Sequence, residues 1–154
     1  MIDGEETSGA RFNKYRPGRQ SEAKNWSNDW ILYRLTDIYF YKAEALMREN
    51  GGVATPEALR LVNDVHKRAF STADTTKEAY TAATLTLPEL LAERGREVIF
   101  EGKRRTDMVR FGTIITATWW THQPSDPTKA LFPIPQQHLA ANPNLAQNPG
   151  YPAL

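Results

Sequence analysis

The chain has 154 residues and a formal net charge of +1, which is one-domain size with enough length to bury a core and none of the basic footprint of a nucleic-acid binder. It has no cysteine, which excludes a disulfide framework, a thiolate nucleophile and a cysteine zinc site. No apolar run approaches the roughly 20 residues that span a bilayer, and the polar opening MIDGEETSGARFNKYRPG lacks the hydrophobic core of a signal peptide.

Residues 1–29 read as a loop or extended lead-in, with Arg11, Phe12, Lys14 and Tyr15 as its anchoring side chains. Such an opening is expected where a sequence has been cut from a longer one. Residues 30–154 read as the folded body. From Trp30 the apolar density rises, and Leu35, Tyr39, Ala43 and Leu46, joined by Ile38 and Ala45, recur at the gaps of a buried helix face. Gly51 and Gly52 end that helix as a left-handed cap. Thr55 then caps a second helix with Pro56 at its first position, and Ala58, Leu59, Val62, Val65, His66 and Ala69 mark its inner face. The two form an antiparallel hairpin about the length of a tetratricopeptide unit, roughly 34 residues. One such unit cannot bury both of its faces, so a partner surface is expected. Glu44, set among the alanines of the first helix, is expected to be buried and paired with an arginine, because an ionised carboxylate there is otherwise too costly.

Residues 71–85, rich in Ser, Thr and Ala, read as a surface connection with a helical turn around Lys77 to Ala83. The densest signals lie from Thr86 to Gly112. Thr86 and Glu89 have the spacing of a capping box, Pro88 sits in the first turn, and Leu87, Leu90, Leu91, Val98 and Ile99 form an apolar stripe. Glu93, Glu97 and Glu101 form a row of carboxylates that repels itself unless cations face it. Past a turn at Gly102, Lys103, Arg104, Arg105 and Arg110 supply cations, so a fold-back ion network of Glu93, Arg94, Glu97, Glu101, Arg104, Asp107 and Arg110 is predicted. The β-branched start of TIITATWW predicts a short strand. The tail, with five prolines, predicts an extended strap docked through Leu131, Phe132, Ile134, Leu139, Leu145 and Tyr151. The fold class is therefore all-α: a tetratricopeptide-like hairpin, a central helix-turn-helix, long irregular loops and the C-terminal strap.

Four blocks of this sequence resemble the C-terminal part of the SusD/RagB family of nutrient-binding outer-membrane lipoproteins. They are RLTDIYFYKAEAL at Arg34 to Leu46, VNDVHKRA at Val62 to Ala69, ERGREVIFEGKRRTDMVRFG at Glu93 to Gly112, and FPIPQQHLAANPNLAQNPGY at Phe132 to Tyr151. His66 stands where the family pattern has an arginine, and Arg105 and Thr106 replace its aromatic pair. The resemblance implies a mostly helical, non-catalytic protein without cofactor, tethered outside the cell by a lipid on an upstream segment. It would work as a lid on a SusC-like, TonB-dependent outer-membrane transporter and capture glycans or other nutrients. Most sugar contacts would lie upstream of Met1.

Beside that reading stand a tetratricopeptide-type protein interaction module and a glycoside hydrolase. The hydrolase would need two of the carboxylates Glu93, Glu97 and Glu101 as acid and nucleophile. Neighbouring arginines would hold them ionised, which suits a structural network instead. Lys103, Arg104, Arg105 and Arg110 do not form a DNA-reading helix, because Glu97, Glu101 and Asp107 are interleaved with them. His66, His122 and His138 are too scattered for a metal site. Trp119, Trp120 and His122 are the candidate ligand-binding cluster, since aromatic rings stack on the apolar faces of sugars; burial of the tryptophans in a core is the competing account.

Overall fold

A computed structural model describes residues 14–15, 28–71, 74, 78–119 and 122–152. The chain divides into two compact units, Met1–Leu32 and Tyr33–Leu154. In the first, the Lys14 ammonium lies 5.7 Å from the centre of the Tyr15 ring; Arg11 and Phe12 fall outside the described residues.

The second unit is helical, and its described residues contain no strand. Helix α1 spans Leu35–Glu49 and α2 spans Pro56–His66. The turn between them follows the sequence signals closely. Gly51 and Gly52 take φ values of 66° and 90°, a region open to glycine at little cost. Thr55 Oγ1 accepts the Ala58 amide at 3.1 Å, with Pro56 at the first helical position. The two helices pack as a tetratricopeptide-like hairpin around Phe40, Ala43, Met47, Ala58, Leu61, Val62 and Val65.

The buried face of α1 differs from the expected one. Thr36, Asp37, Phe40, Ala43, Glu44 and Met47 are buried, while Leu35, Ile38 and Ala45 are exposed and Tyr39 and Leu46 are half-buried. Counting apolar residues misplaces this face because it contains two carboxylates, and the outer face is itself apolar. On α2, Leu61 joins the core, while Ala69, expected on the same face, lies beyond the helix in a 3₁₀ turn and is exposed.

Leu85 is 1 % exposed, so the Ser/Thr/Ala-rich connection does not run wholly over the surface. The described part of that connection holds turns, 82–84 among them; Lys77, the first residue of the expected helical turn, lies outside the described residues. Helix α3, Leu87–Glu97, starts on Thr86, whose hydroxyl accepts the Glu89 amide at 3.3 Å. Only half of the capping box forms, because the Glu89 carboxylate turns instead to Tyr80 and Arg96. The helix stops before Glu101, which is delivered by a turn in which Phe100 (φ 64°) and Gly102 (φ 69°) are both left-handed. Helix α4, Arg104–Arg110, follows.

Residues 114–116 form turns where a strand was expected, and an isolated bridge pairs Trp119 with His122. The tail contains a short helix, α5, Gln136–Ala141, so it is not an extended strap throughout. Of its expected docking residues only Leu139 is buried; Leu131, Phe132 and Leu145 are exposed, and Ile134 and Tyr151 are half-buried.

Candidate functional site

The charged centre of the molecule is built on Arg94, 1 % exposed in the middle of α3. Its Nη2 donates to Asp37 Oδ1 at 2.9 Å and to the Tyr41 hydroxyl at 3.0 Å, and its Nε donates to Asp107 Oδ2 at 2.9 Å. Three helices are thereby joined through one planar cation, whose fork matches carboxylates better than an ammonium would. Nη1 is buried without a hydrogen-bond partner among the described residues. The guanidinium carbon lies 4.4 Å from the Tyr41 ring centre, so the ring covers this cation.

A second layer surrounds it. Arg110 donates from Nη2 to Asp107 Oδ1 at 2.9 Å and grips both oxygens of Glu44, which also accepts from Arg48 Nε at 2.9 Å. Glu44 is 5 % exposed and paired with arginines, as its place among alanines requires. Burial lowers the Arg110 pKa, but the hydrogen bonds that it donates to Glu44 and Asp107 outweigh this and raise the net value, so the group stays charged.

The glutamate row is neutralised from elsewhere than expected. Arg34, ahead of α1, contacts Glu97 at 2.6 Å and both oxygens of Glu101 at 3.0 and 3.1 Å, and it also donates to Thr36. Arg68 reaches Glu97 at 2.7 Å. Glu93 is met by His66 Nδ1 at 2.7 Å and by Arg96 at 2.7 Å. The imidazole and the Arg96 guanidinium thus meet Glu93 on its two oxygens. Burial pushes the Glu93 carboxyl up, but the hydrogen bonds from His66 and Arg96 prevail and hold it below its ordinary pKa. Burial and two carboxylate neighbours raise the Tyr80 phenol.

The α4 cations do other work. Arg104 donates to the Leu91 carbonyl at 2.8 Å and lies flat on α3 at Gly95, where a Cβ would approach its Nη1 to 2.8 Å. Arg105 donates to the Ala130 carbonyl at 2.7 Å and stacks over Phe132 at 4.1 Å. The Lys103 ammonium sits 4.3 Å from the Tyr33 ring centre. Sequence spacing placed Arg104 among the ion pairs, yet its partner here is a backbone oxygen. Arg34, Asp37, Arg68 and Arg96 are members that the spacing did not reveal. Asp37 gave the one usable signal, as a second carboxylate on the core side of α1.

Beside this centre a cleft of about 480 Å³ is lined by Leu91, Arg104, Met108, Thr113, Ala117, Thr118 and Trp119. Trp119 is 51 % exposed at its edge. Its indole stacks on the His122 ring at 3.9 Å with an interplanar angle of 17°, and the backbones of the two residues exchange hydrogen bonds. His122 Nε2 is buried without a partner among the described residues. Trp120, the third member of the expected cluster, lies outside the described residues. Among the described residues no group of three or more His, Asp and Glu is placed to hold a metal.

The model of the SusD family matches residues 2–128. The chain belongs to the SusD family. It is 34 % identical to the starch-binding protein SusD of Bacteroides thetaiotaomicron, over an alignment covering 85 % of this chain and 23 % of that protein. It is 30 % identical to a SusD-like protein, P25, of Formosa agariphila, covering 82 % of this chain and 26 % of that one. A crystal structure of a SusD superfamily protein from Bacteroides vulgatus superposes with a TM-score of 0.61 and 30 % identity, over 80 % of this chain and 28 % of the other. A SusD homologue from Bacteroides thetaiotaomicron gives 0.62 and 25 %, over 79 % and 27 %. The chain thus spans about a quarter of its SusD relatives. The SusD match includes the hairpin, the Arg94 centre and the cleft, and stops before the tail block at Phe132 to Tyr151.

Proposed function

We propose that this chain is part of a non-catalytic protein that captures glycan at the bacterial outer membrane, held there by a lipid on an upstream segment. It would deliver its ligand to a TonB-dependent, SusC-like transporter. The observation that carries the reading is the 34 % identity to a protein named for starch binding. The engagement of Glu93, Glu97 and Glu101 by cations supports a binding role over glycoside hydrolysis, since a general acid needs a raised pKa and Glu93 is held low. No described helix is long and apolar enough to cross a membrane.

Within the chain, Trp119 braced by His122 is the candidate edge of a sugar site, its exposed indole suited to the apolar face of a pyranose. An edge of this kind binds weakly alone. Calorimetric titration with starch, xylan, mannan and host-type glycans should give a dissociation constant for this chain weaker than about 0.1 mM, or roughly −5.5 kcal/mol. Tighter binding would place a complete site inside these residues. The natural polypeptide, tagged and recovered from outer membranes, should bind one of these glycans and retain a TonB-dependent transporter; failure on both counts would overturn the proposal.

A further inference from the structure

The arginines of the charged centre meet carboxylates with one edge of the guanidinium, the edge formed by Nε and Nη2. Arg110 closes it on both oxygens of Glu44 and Arg34 on both oxygens of Glu101, while Arg94 turns it to Asp107 and Asp37 and Arg96 to Glu93 and Glu89. Two parallel N–H groups there match the two oxygens of a carboxylate. Arg104 is held in another way. Its Nη1 donates to the Leu91 carbonyl at 2.8 Å, and its guanidinium lies over Gly95, where a Cβ would come within 2.8 Å of Nη1 and 3.3 Å of Cζ. The missing Cβ makes the bed and the carbonyl fixes one side, while among the described residues no carboxylate meets its Nε or Nη2. Arg104 also lines the cleft that Trp119 borders, and it is the one charged residue among those lining it. A cation set rigidly in an uncharged cleft, with its carboxylate-matching edge open, is preorganised for an anionic ligand.

We propose that this cleft selects acidic sugar: Arg104 receives the carboxylate of a hexuronate unit in an acidic polysaccharide while Trp119 receives the face of its ring. The inference rests on the reading of Trp119 as the edge of a sugar site, and it names the class of sugar. A hexuronate carries both groups that the cleft matches, an apolar C–H face for the exposed indole and a planar carboxylate at the rim of the ring for the guanidinium. The Thr118 hydroxyl, on the same wall, suits a ring hydroxyl. A neutral glucan offers the open edge only hydroxyls, which make weaker bonds to a cation than a carboxylate does. A sulfate ester offers charge, but with tetrahedral oxygens. The Nε–Nη2 edges of Arg110 and Arg34 each grip a planar carboxylate, and the same edge of Arg104 favours the same geometry.

The test compares sugars on the unaltered chain. Indole N–H resonances are followed by NMR during titration with tetragalacturonate, its full methyl ester, maltotetraose and a sulfated galactan tetrasaccharide, the Trp119 signal being assigned by its loss in Trp119→Phe. Affinities are read as ratios, because an edge binds weakly alone. Tetragalacturonate should shift the Trp119 resonance and bind at least about tenfold more tightly than its ester, which keeps the ring and loses the charge. Arg104→Lys keeps a positive charge without the fork and should abolish most of that preference, whereas Arg60→Gln, which removes an exposed cation of α2 outside the cleft, should preserve it. Equal binding of acid and ester, or tighter binding of maltotetraose, would overturn the inference and leave the glycan-capture reading standing. Tighter binding of the sulfated sugar would overturn the choice of carboxylate. An equal loss in Arg60→Gln and Arg104→Lys would reduce the preference to general charge attraction and overturn the site. If Arg104→Lys does not melt cooperatively, the acid-to-ester ratio at the Trp119 resonance of the unaltered chain decides alone. A Trp119 signal that no saccharide moves would overturn the inference together with the sugar edge, while the glycan-capture reading would still be decided by the natural polypeptide recovered from outer membranes.

Discussion

Arg94 and its two carboxylates carry the largest single-residue consequences in this molecule. Asp37 and Asp107 are fully buried, and both depend on the same guanidinium. Removing one partner of such a set leaves an uncompensated charge out of water, so Asp37→Ala should cost about 3–5 kcal/mol in denaturant unfolding. Glu57→Ala, which removes the exposed partner of Lys42, should leave the midpoint where it was. A midpoint unchanged by Asp37→Ala would show that Arg94 finds other compensation. Glu93 predicts a pH effect. Its folded pKa is depressed below the ordinary value of about 4.3, so its contribution is fully present above that value and is lost as pH falls through the folded pKa. Glu93→Gln should therefore flatten the acid limb of a stability–pH curve. Retention of the wild-type acid limb would assign that limb to other carboxylates. At this scale Glu44 was readable in the sequence because a lone carboxylate among alanines has one affordable environment. The partners of Glu97 and Glu101 were not readable, because Arg34 is separated from them by 63 and 67 residues and only the tertiary fold brings them together.

The boundaries of α1 and α2 followed from local chemistry, and so did the inner face of α2, but the inner face of α1 did not. Thr55, Pro56, Gly51 and Gly52 act within one turn of their own positions, so their effect is written in the adjoining residues. Thr55→Ala should accordingly cost about 1 kcal/mol in thermal or denaturant unfolding, and Thr55→Ser should restore most of it. A loss that serine does not restore would point to the Thr55 methyl instead of its hydroxyl. Which side of α1 faces inward is a different kind of information. Both sides are apolar, and the inner one contains Asp37 and Glu44, so a count of hydrophobic residues favours the wrong side. Leu85 escaped for a related reason. A single leucine in a run of Ser, Thr and Ala has no periodicity to mark it, yet it is enclosed in the core. The same limit applies to the candidate cleft, whose walls come from α3, α4 and the loop at 113–119, three stretches with no shared pattern.

At the scale of the whole molecule, the tail differs most from the simple picture of a strap pressed onto a core. It is closed largely on itself. The Gln147 side chain makes two hydrogen bonds to the backbone of Ile134, accepting from its N–H at 2.8 Å and donating to its carbonyl at 3.0 Å. Asn148 Nδ2 donates to the Phe132 carbonyl at 2.7 Å, and the Tyr151 hydroxyl donates to the Leu131 carbonyl at 2.8 Å. Gly150, at φ 81°, lies so close to Thr128 that a Cβ would come within 2.5 Å of its hydroxyl oxygen. A link to the helices runs through Arg105, on the Ala130 carbonyl and the Phe132 ring, and among the described residues of the tail Leu139 alone is a buried apolar residue. Opening this clasp should therefore be a local event. Gln147→Ala removes both bonds to Ile134 at a cost of about 1–3 kcal/mol, and Gly150→Ala forces the chain end away from Thr128. Each should speed proteolytic cleavage within residues 131–152 several-fold while the main thermal transition, set by the hairpin and the Arg94 centre, stays nearly in place. If either substitution lowers the main transition as much as Asp37→Ala does, the tail is part of the cooperative core and the self-closed clasp is the wrong description.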